Sequence, residues 1–141
     1  MKIRVKKLHP DAKVPAFAHP GDAGMDLFSV EDMTIAPGAR ASVPTGIAIE
    51  LPEGYVSLVW DKSGPSHKFG VKTLGGVLDS GYRGEYLIGL VNLGREPFEI
   101  QRGQKIAQLL IQRVEHPEIQ ETDELSDTSR GAGGFGSTGV H

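Results

Sequence analysis

Apolar and polar positions alternate along this chain in short runs, and none of the runs is long. IRVKKL near the start alternates apolar with basic residues, as a half-exposed strand does. YVSLVW and EYLIGLVNL are short, rich in β-branched and aromatic residues, and bounded by glycine, which also predicts strands. DMTIAPGARASVPTGIAIEL reads as a strand, a Pro-Gly turn and a second strand. PFEIQRGQKIAQLLIQRV reads the same way. Its second half, IAQLLIQRV, also fits a helical period, but its neighbours are strands and a strand is expected there. TIAPGAR at 34–40 echoes EIQRGQK at 99–105, which predicts one hairpin used twice. Residues 11–24, with Pro15, Pro20 and the GDAG turn, read as loop.

Composition sharpens this picture. Nineteen glycines and nine prolines fall as punctuation between the apolar runs, which leaves no room for long helices. The expectation is an all-β sandwich or jelly roll, and 141 residues make one domain with a sizeable core. A net charge of −3 gives no basic footprint, so no nucleic-acid partner is expected. With no cysteine, disulfides and thiolate metal sites are excluded. MKIRVKKLHP leads into no apolar stretch, and the longest apolar-rich run, about LIGLVNL, is too short to span a bilayer. Neither a signal peptide nor a membrane partner is expected, and a cytoplasmic location is the default. Residues 115–129 carry six acids and no Lys or Arg, which predicts an extended surface arm, one that would bury itself on a neighbouring subunit. The chain divides into a β domain at 1–129, arm included, and a glycine-rich tail at 130–141.

That tail, RGAGGFGSTGVH, carries most of the unusual chemistry. Gly131, Gly133 and Gly136 match G-x-G-x-x-G, but no strand precedes them and no helix or acid follows, so a dinucleotide fold is excluded. Arg130, Phe135, Ser137 and Thr138 instead offer a guanidinium, an aromatic face and two hydroxyls among many unobstructed N–H groups. Such a set can grip a phosphorylated ring. Four further clusters interrupt the strands: AGMDLFS with Asp26, WDKSGPS with Lys62, Ser63 and Gly64, LGGVLDSGYRGE with Asp79 and Tyr82, and RGQKIAQLL with Gln108. Singly, each has an ordinary reading. Asp26 and K-S-G-P read as turn formers, Tyr82 as packing in a Gly-rich hairpin, and Gln108 as a strand residue needing a partner if buried. Asp79 stands at an apolar strand edge, where an unpaired carboxylate costs free energy.

The order of these clusters is more specific than any one of them. AGMDL, KSG, GGVLDSGYRGE, GQKIAQLL and RGAGGFGSTG together resemble the five motifs of the trimeric dUTP diphosphatases (dUTPases), from residue 23 to residue 139. The resemblance implies a homotrimeric jelly roll with a swapped arm that uses Mg²⁺ to hydrolyse dUTP to dUMP and diphosphate, supplying dUMP and keeping uracil out of DNA. One chain would bring the AGMDL, KSG and GQKIAQLL stretches to each site, a second the hairpin, and a third its tail. Asp26 would hold waters of the Mg²⁺ that bridges the phosphates. Lys62, Ser63, Gly64 and Gln108 would contact the phosphate chain. Asp79 would orient and deprotonate the water that attacks the α-phosphorus, and would touch the 3′-hydroxyl. Tyr82 would lie beneath the deoxyribose, where a 2′-hydroxyl would clash.

The uracil would be read by the backbone of residues 73–78, among them Thr73, Gly76, Val77 and Leu78, which leaves no space for thymine's methyl and mispairs cytosine. Phe135 would stack on the base while Arg130, Ser137 and Thr138 close on the γ-phosphate, with Gly136 among the binding residues. Two positions depart from the family pattern. Lys62 stands where arginine is usual and lacks its bidentate fork, and Thr73 aligns with an asparagine in many relatives. Two other readings remain: a dCTP deaminase or bifunctional deaminase, which needs a further acid near the pyrimidine, and a catalytically silent nucleotide sensor.

Overall fold

The computed structural model describes residues 1–139; residues 140 and 141, the end of the predicted tail, lie outside the described residues. Eleven strands and one short helix follow in order: β1 (Arg4–Lys7), β2 (Met25–Phe28), β3 (Met33–Ile35), β4 (Arg40–Pro44), β5 (Ile47–Glu50), β6 (Tyr55–Trp60), α1 (Ser63–Phe69), β7 (Val71–Leu74), β8 (Val77–Asp79), β9 (Leu87–Asn92), β10 (Phe98–Ile100) and β11 (Lys105–Arg113). Strands hold 37% of the described residues and helix 5%, so the fold is all-β as expected.

All the ladders are antiparallel. The largest sheet runs β2-β11-β6-β8, a second runs β4-β9-β7, and two pairs, β1-β5 and β3-β10, complete the sandwich. Period-two alternation sends Ile88 and Leu90 of β9 inward, and Leu27 of β2 meets Ala107 and Leu109 of β11 in the same core. Tyr86 is fully buried at its centre, its hydroxyl 2.8 Å from the Ser57 hydroxyl. A buried phenol needs such a partner.

Four details differ from the sequence reading. The echoing segments are not hairpins: β3 does not pair with β4, nor β10 with β11. Instead β3 pairs with β10, Glu99 opposite Thr34, so the two echoes lie against each other. K-S-G-P is not an ordinary turn but the start of α1, which buries no residue and ends at Gly70 in the left-handed region. Asp26, read as a turn former, lies inside β2.

The fourth difference is that residues 73–78 do not form a hairpin. β7 pairs with β9 and β8 pairs with β6, so Gly75 and Gly76 carry the chain from one sheet to the other as an arch. Both glycines have positive φ, and a Cβ on Gly76 would sit 2.9 Å from the Val59 carbonyl oxygen, so the close approach requires glycine.

Candidate active site

Asp26 anchors one end of the large sheet. Its register partner on β11 is Gln108, whose partner on β6 is Trp60, so the three line one rung. A β-bulge then matters. Lys105 lies three residues before Gln108 and would face the other side of a regular strand. The register shift between Lys105 and Ala107 inserts Ile106 as an extra residue and returns Lys105 to the face that Asp26 and Gln108 share. Lys105 Nζ lies 2.8 Å from Asp26 Oδ2, while Lys62, just before α1, closes on Oδ1. Burial pushes the Asp26 carboxyl up, but hydrogen bonds and charge from Lys105 and Lys62 outweigh it and hold the group below the ordinary aspartate range.

This cluster bears on the expected Mg²⁺. Among the described residues no three carboxylate or imidazole groups gather to ligate a cation. Both oxygens of the one buried carboxylate are already engaged by ammonium groups. Direct ligation by protein does not fit this donor set. A hydrated ion carried in by phosphates, with Asp26 addressing its waters, does fit, because such an ion needs only one outer carboxylate.

Gln108 donates from Nε2 to the Asp61 carbonyl oxygen at 2.8 Å, beside the start of α1 at Ser63 and Gly64. Asp61 was not singled out in the sequence. Its Oδ1 accepts from the Thr73 N–H (2.7 Å) and the Thr73 hydroxyl (2.9 Å), and its Oδ2 from Lys72 Nζ (2.8 Å). Burial raises this carboxyl too, yet those donors bring it below the ordinary range. The Thr73 side chain is therefore engaged inside the protein. Lys105 was also missed, since no local pattern announces a bulge.

Gly76, Val77 and Leu78 line a cleft of about 540 Å³ together with Val59, Leu74 and Leu87. Asp79 ends β8 and is exposed, so the burial cost expected of its carboxylate does not arise. The loop after it folds back, with the Tyr82 N–H donating to the Asp79 carbonyl at 3.1 Å. The Tyr82 ring lies against Tyr86, centroids 6.2 Å apart, and its hydroxyl donates to the Glu85 carbonyl at 2.9 Å. A Cβ on Gly84 would overlap the Tyr82 ring, meeting Cζ at 2.6 Å. Gly84 is small so that Tyr82 can lie there.

The predicted residues do not all meet. Asp79 pairs with Val56 on β6, whereas Asp26 and Gln108 sit on the rung of Trp60. Four residues along the strand and three strand spacings across the sheet put Asp79 roughly 20 Å from Asp26. The tail stands apart from both. Arg130 Nε donates to the Gly133 carbonyl, the Gly131 N–H to the Thr128 hydroxyl and the Ser137 N–H to the Gly134 carbonyl, while Phe135 is fully exposed. Among the described residues, no hydrogen bond ties 130–139 to any residue before Thr128.

The dUTPase family model matches residues 10–139. The deoxyuridine 5′-triphosphate nucleotidohydrolase of Thermobifida fusca is 49% identical over 144 residues, covering all of this chain and 80% of the relative. A mutant of the Staphylococcus bacteriophage 80alpha dUTPase with dUpNHpp superposes with a TM-score of 0.90 at 32% identity, covering 99% of each chain. A mutant dUTPase from phage phi11 of S. aureus, described for the coordination of a structural Mg(II) ion, gives 0.83 at 29% identity over 88% of this chain and 98% of its own.

Proposed function

The chain belongs to the dUTPase family, and on that premise we propose that it is a cytoplasmic homotrimer that hydrolyses dUTP to dUMP and diphosphate by water attack on the α-phosphorus. The consequence is a supply of dUMP and a nucleotide pool from which uracil does not enter DNA.

The observation that carries this reading is the separation of the site's parts within one chain. The Asp26 cluster, the Asp79–Tyr82 segment and the tail lie apart and do not converge within the chain. Three copies around a closed three-fold axis bring the Asp26 cluster of one subunit to the arch of a second and the tail of a third. The acidic segment at 115–129, exposed throughout, is the arm that crosses between them.

In the assembled site, Lys62, Ser63, Gly64 and Gln108 hold the phosphate chain, and Lys105 adds a second cation beside Asp26. These fixed donors steady the charge that builds as diphosphate leaves. Asp26 would hold a Mg²⁺ through its waters, and the ion would supply further charge neutralisation at the phosphates. The arch from Thr73 to Leu78 reads uracil with its backbone, since the Thr73 side chain is committed to Asp61. Tyr82, braced by Tyr86 and the Glu85 carbonyl, lies flat under the deoxyribose. Asp79 takes the proton of the attacking water and touches the 3′-hydroxyl. Phe135 stacks over the base, while Arg130, Ser137 and Thr138, with the Gly136 backbone, close on the γ-phosphate and exclude solvent.

The test is incubation with dUTP, dCTP, dTTP or UTP and Mg²⁺, with products separated by chromatography. The expected result is dUMP and diphosphate from dUTP alone. A deaminated product from dCTP, or no turnover of dUTP, would overturn the reading.

A further inference from the structure

Asp61 occupies an unusual place. It follows the last residue of β6, precedes Lys62, and touches two of the segments assigned above to substrate. Its carbonyl takes the Gln108 side chain of β11. Its carboxylate takes both donors of Thr73 and the ammonium of Lys72, all from β7. β7 lies at the edge of the β4-β9-β7 sheet, and β6 belongs to the other large sheet. The Thr73 N–H that a further strand would otherwise bind is taken by a carboxylate from the opposite layer.

A second bond completes the attachment. The Val59 N–H donates to the Gly76 carbonyl at 2.8 Å. Besides the β8–β6 ladder, the arch is thus pinned by Val59 of β6 at its apex and by Asp61, just past the end of β6, at its base. The Val59 pin is backbone to backbone and independent of side chain. The Asp61 pin depends on one carboxylate, whose side chain is only 23% exposed and is charge-assisted from Lys72.

We propose that Asp61 is a positioning residue for base selection, holding the Thr73–Gly76 arch at the height where its backbone accepts uracil and rejects cytosine and thymine. The proposal rests on the dUTPase reading above. A backbone edge discriminates only while it is held rigidly, because a loose one re-forms hydrogen bonds with the wrong base. Through its carbonyl, Asp61 also sets the orientation of Gln108 toward phosphate. Asp61 touches no reacting atom itself.

The experiment measures kcat/KM for dUTP, dCTP and dTTP in the parent, Asp61→Ala and Asp61→Asn, with thermal unfolding alongside. The parent must first hydrolyse dUTP; if it does not, the functional reading fails and not this one. In Asp61→Ala the dUTP:dCTP and dUTP:dTTP ratios should fall at least about tenfold, the equivalent of ~1.4 kcal/mol. Asp61→Asn keeps an oxygen for both Thr73 donors and should stay within about threefold of the parent ratio. A merely structural role would lower the folded fraction, which cancels in these ratios. Unchanged ratios in Asp61→Ala, or an equal fall in Asp61→Asn, would overturn the proposal. Should Asp61→Ala yield no folded protein, Thr73→Val removes only the hydroxyl donor and should lower the ratios about threefold; unchanged ratios there would overturn it equally.

Discussion

Asp26 and Lys105 form an ion pair, Oδ2 to Nζ at 2.8 Å, across a ladder whose bulge alone puts them on one face. The pair is lopsided: the Asp26 side chain is 6% exposed and that of Lys105 48%. The carboxyl's pKa is depressed in the folded protein. Its contribution to stability is therefore fully present above the ordinary aspartate pKa and is lost as pH falls through the lower folded value. Lys105→Met keeps the apolar stem but removes the charge. It should cost about 1 kcal/mol near pH 7, the low end for a buried charged group losing one of two partners, because solvent screens Lys105. The deficit should shrink below pH 4 as Asp26 in the variant takes up its proton. Urea unfolding at both pH values checks this, and a deficit that stays constant would contradict the pairing.

Gly84→Ala tests sugar selection from a residue that touches no substrate. The new methyl would overlap the Tyr82 ring, and the ring should shift to clear it. Discrimination of dUTP against UTP should fall about tenfold, with stability lowered by no more than about 1 kcal/mol since the ring is partly exposed. The ratio of the two specificity constants is the readout. A parental ratio would place the rejection of the 2′-hydroxyl somewhere other than Tyr82.

Deletion of residues 130–141 should leave the β domain intact, because the hydrogen bonds of the described tail residues stay within 128–139. Unfolding free energy should change by less than about 0.5 kcal/mol, as for other exposed positions. Turnover of dUTP should drop by about 10² or more through loss of the closing lid. Truncated protein with parental kcat would remove the tail from the mechanism.

The strands were legible because burial imposes a period of two on them. YVSLVW is β6 residue for residue, and IAQLLIQRV falls within β11 apart from Val114. α1 was not legible: Ser63, Gly64 and Pro65 are poor interior helix formers, and a helix that buries nothing leaves no apolar stripe. The arch read as a hairpin because Gly75-Gly76 specifies a reversal, while the choice of β6 and β9 as partners is made by tertiary packing. Among candidate site residues, Asp26, Lys62 and Gln108 stand out by their motifs, and the structure brings these three together. Lys105 was hidden by the bulge. Asp61 was hidden because a lone acid at a strand end resembles any solvated charge until its three donors are seen.

The central claim is that Asp79 activates the water that splits dUTP at the α-phosphorus. Asp79→Asn is nearly isosteric and exposed, so it should leave the fold unchanged. The direct measurement is single-turnover hydrolysis of dUTP in heavy-oxygen water by the parent and by Asp79→Asn, with products weighed by mass spectrometry and dUTP affinity measured by calorimetry. The account predicts label in dUMP and none in diphosphate, a rate lower by about 10²–10⁴ in the variant, and a dissociation constant within about tenfold of the parent. Label in diphosphate, or normal chemistry on bound dUTP in the variant, would contradict it.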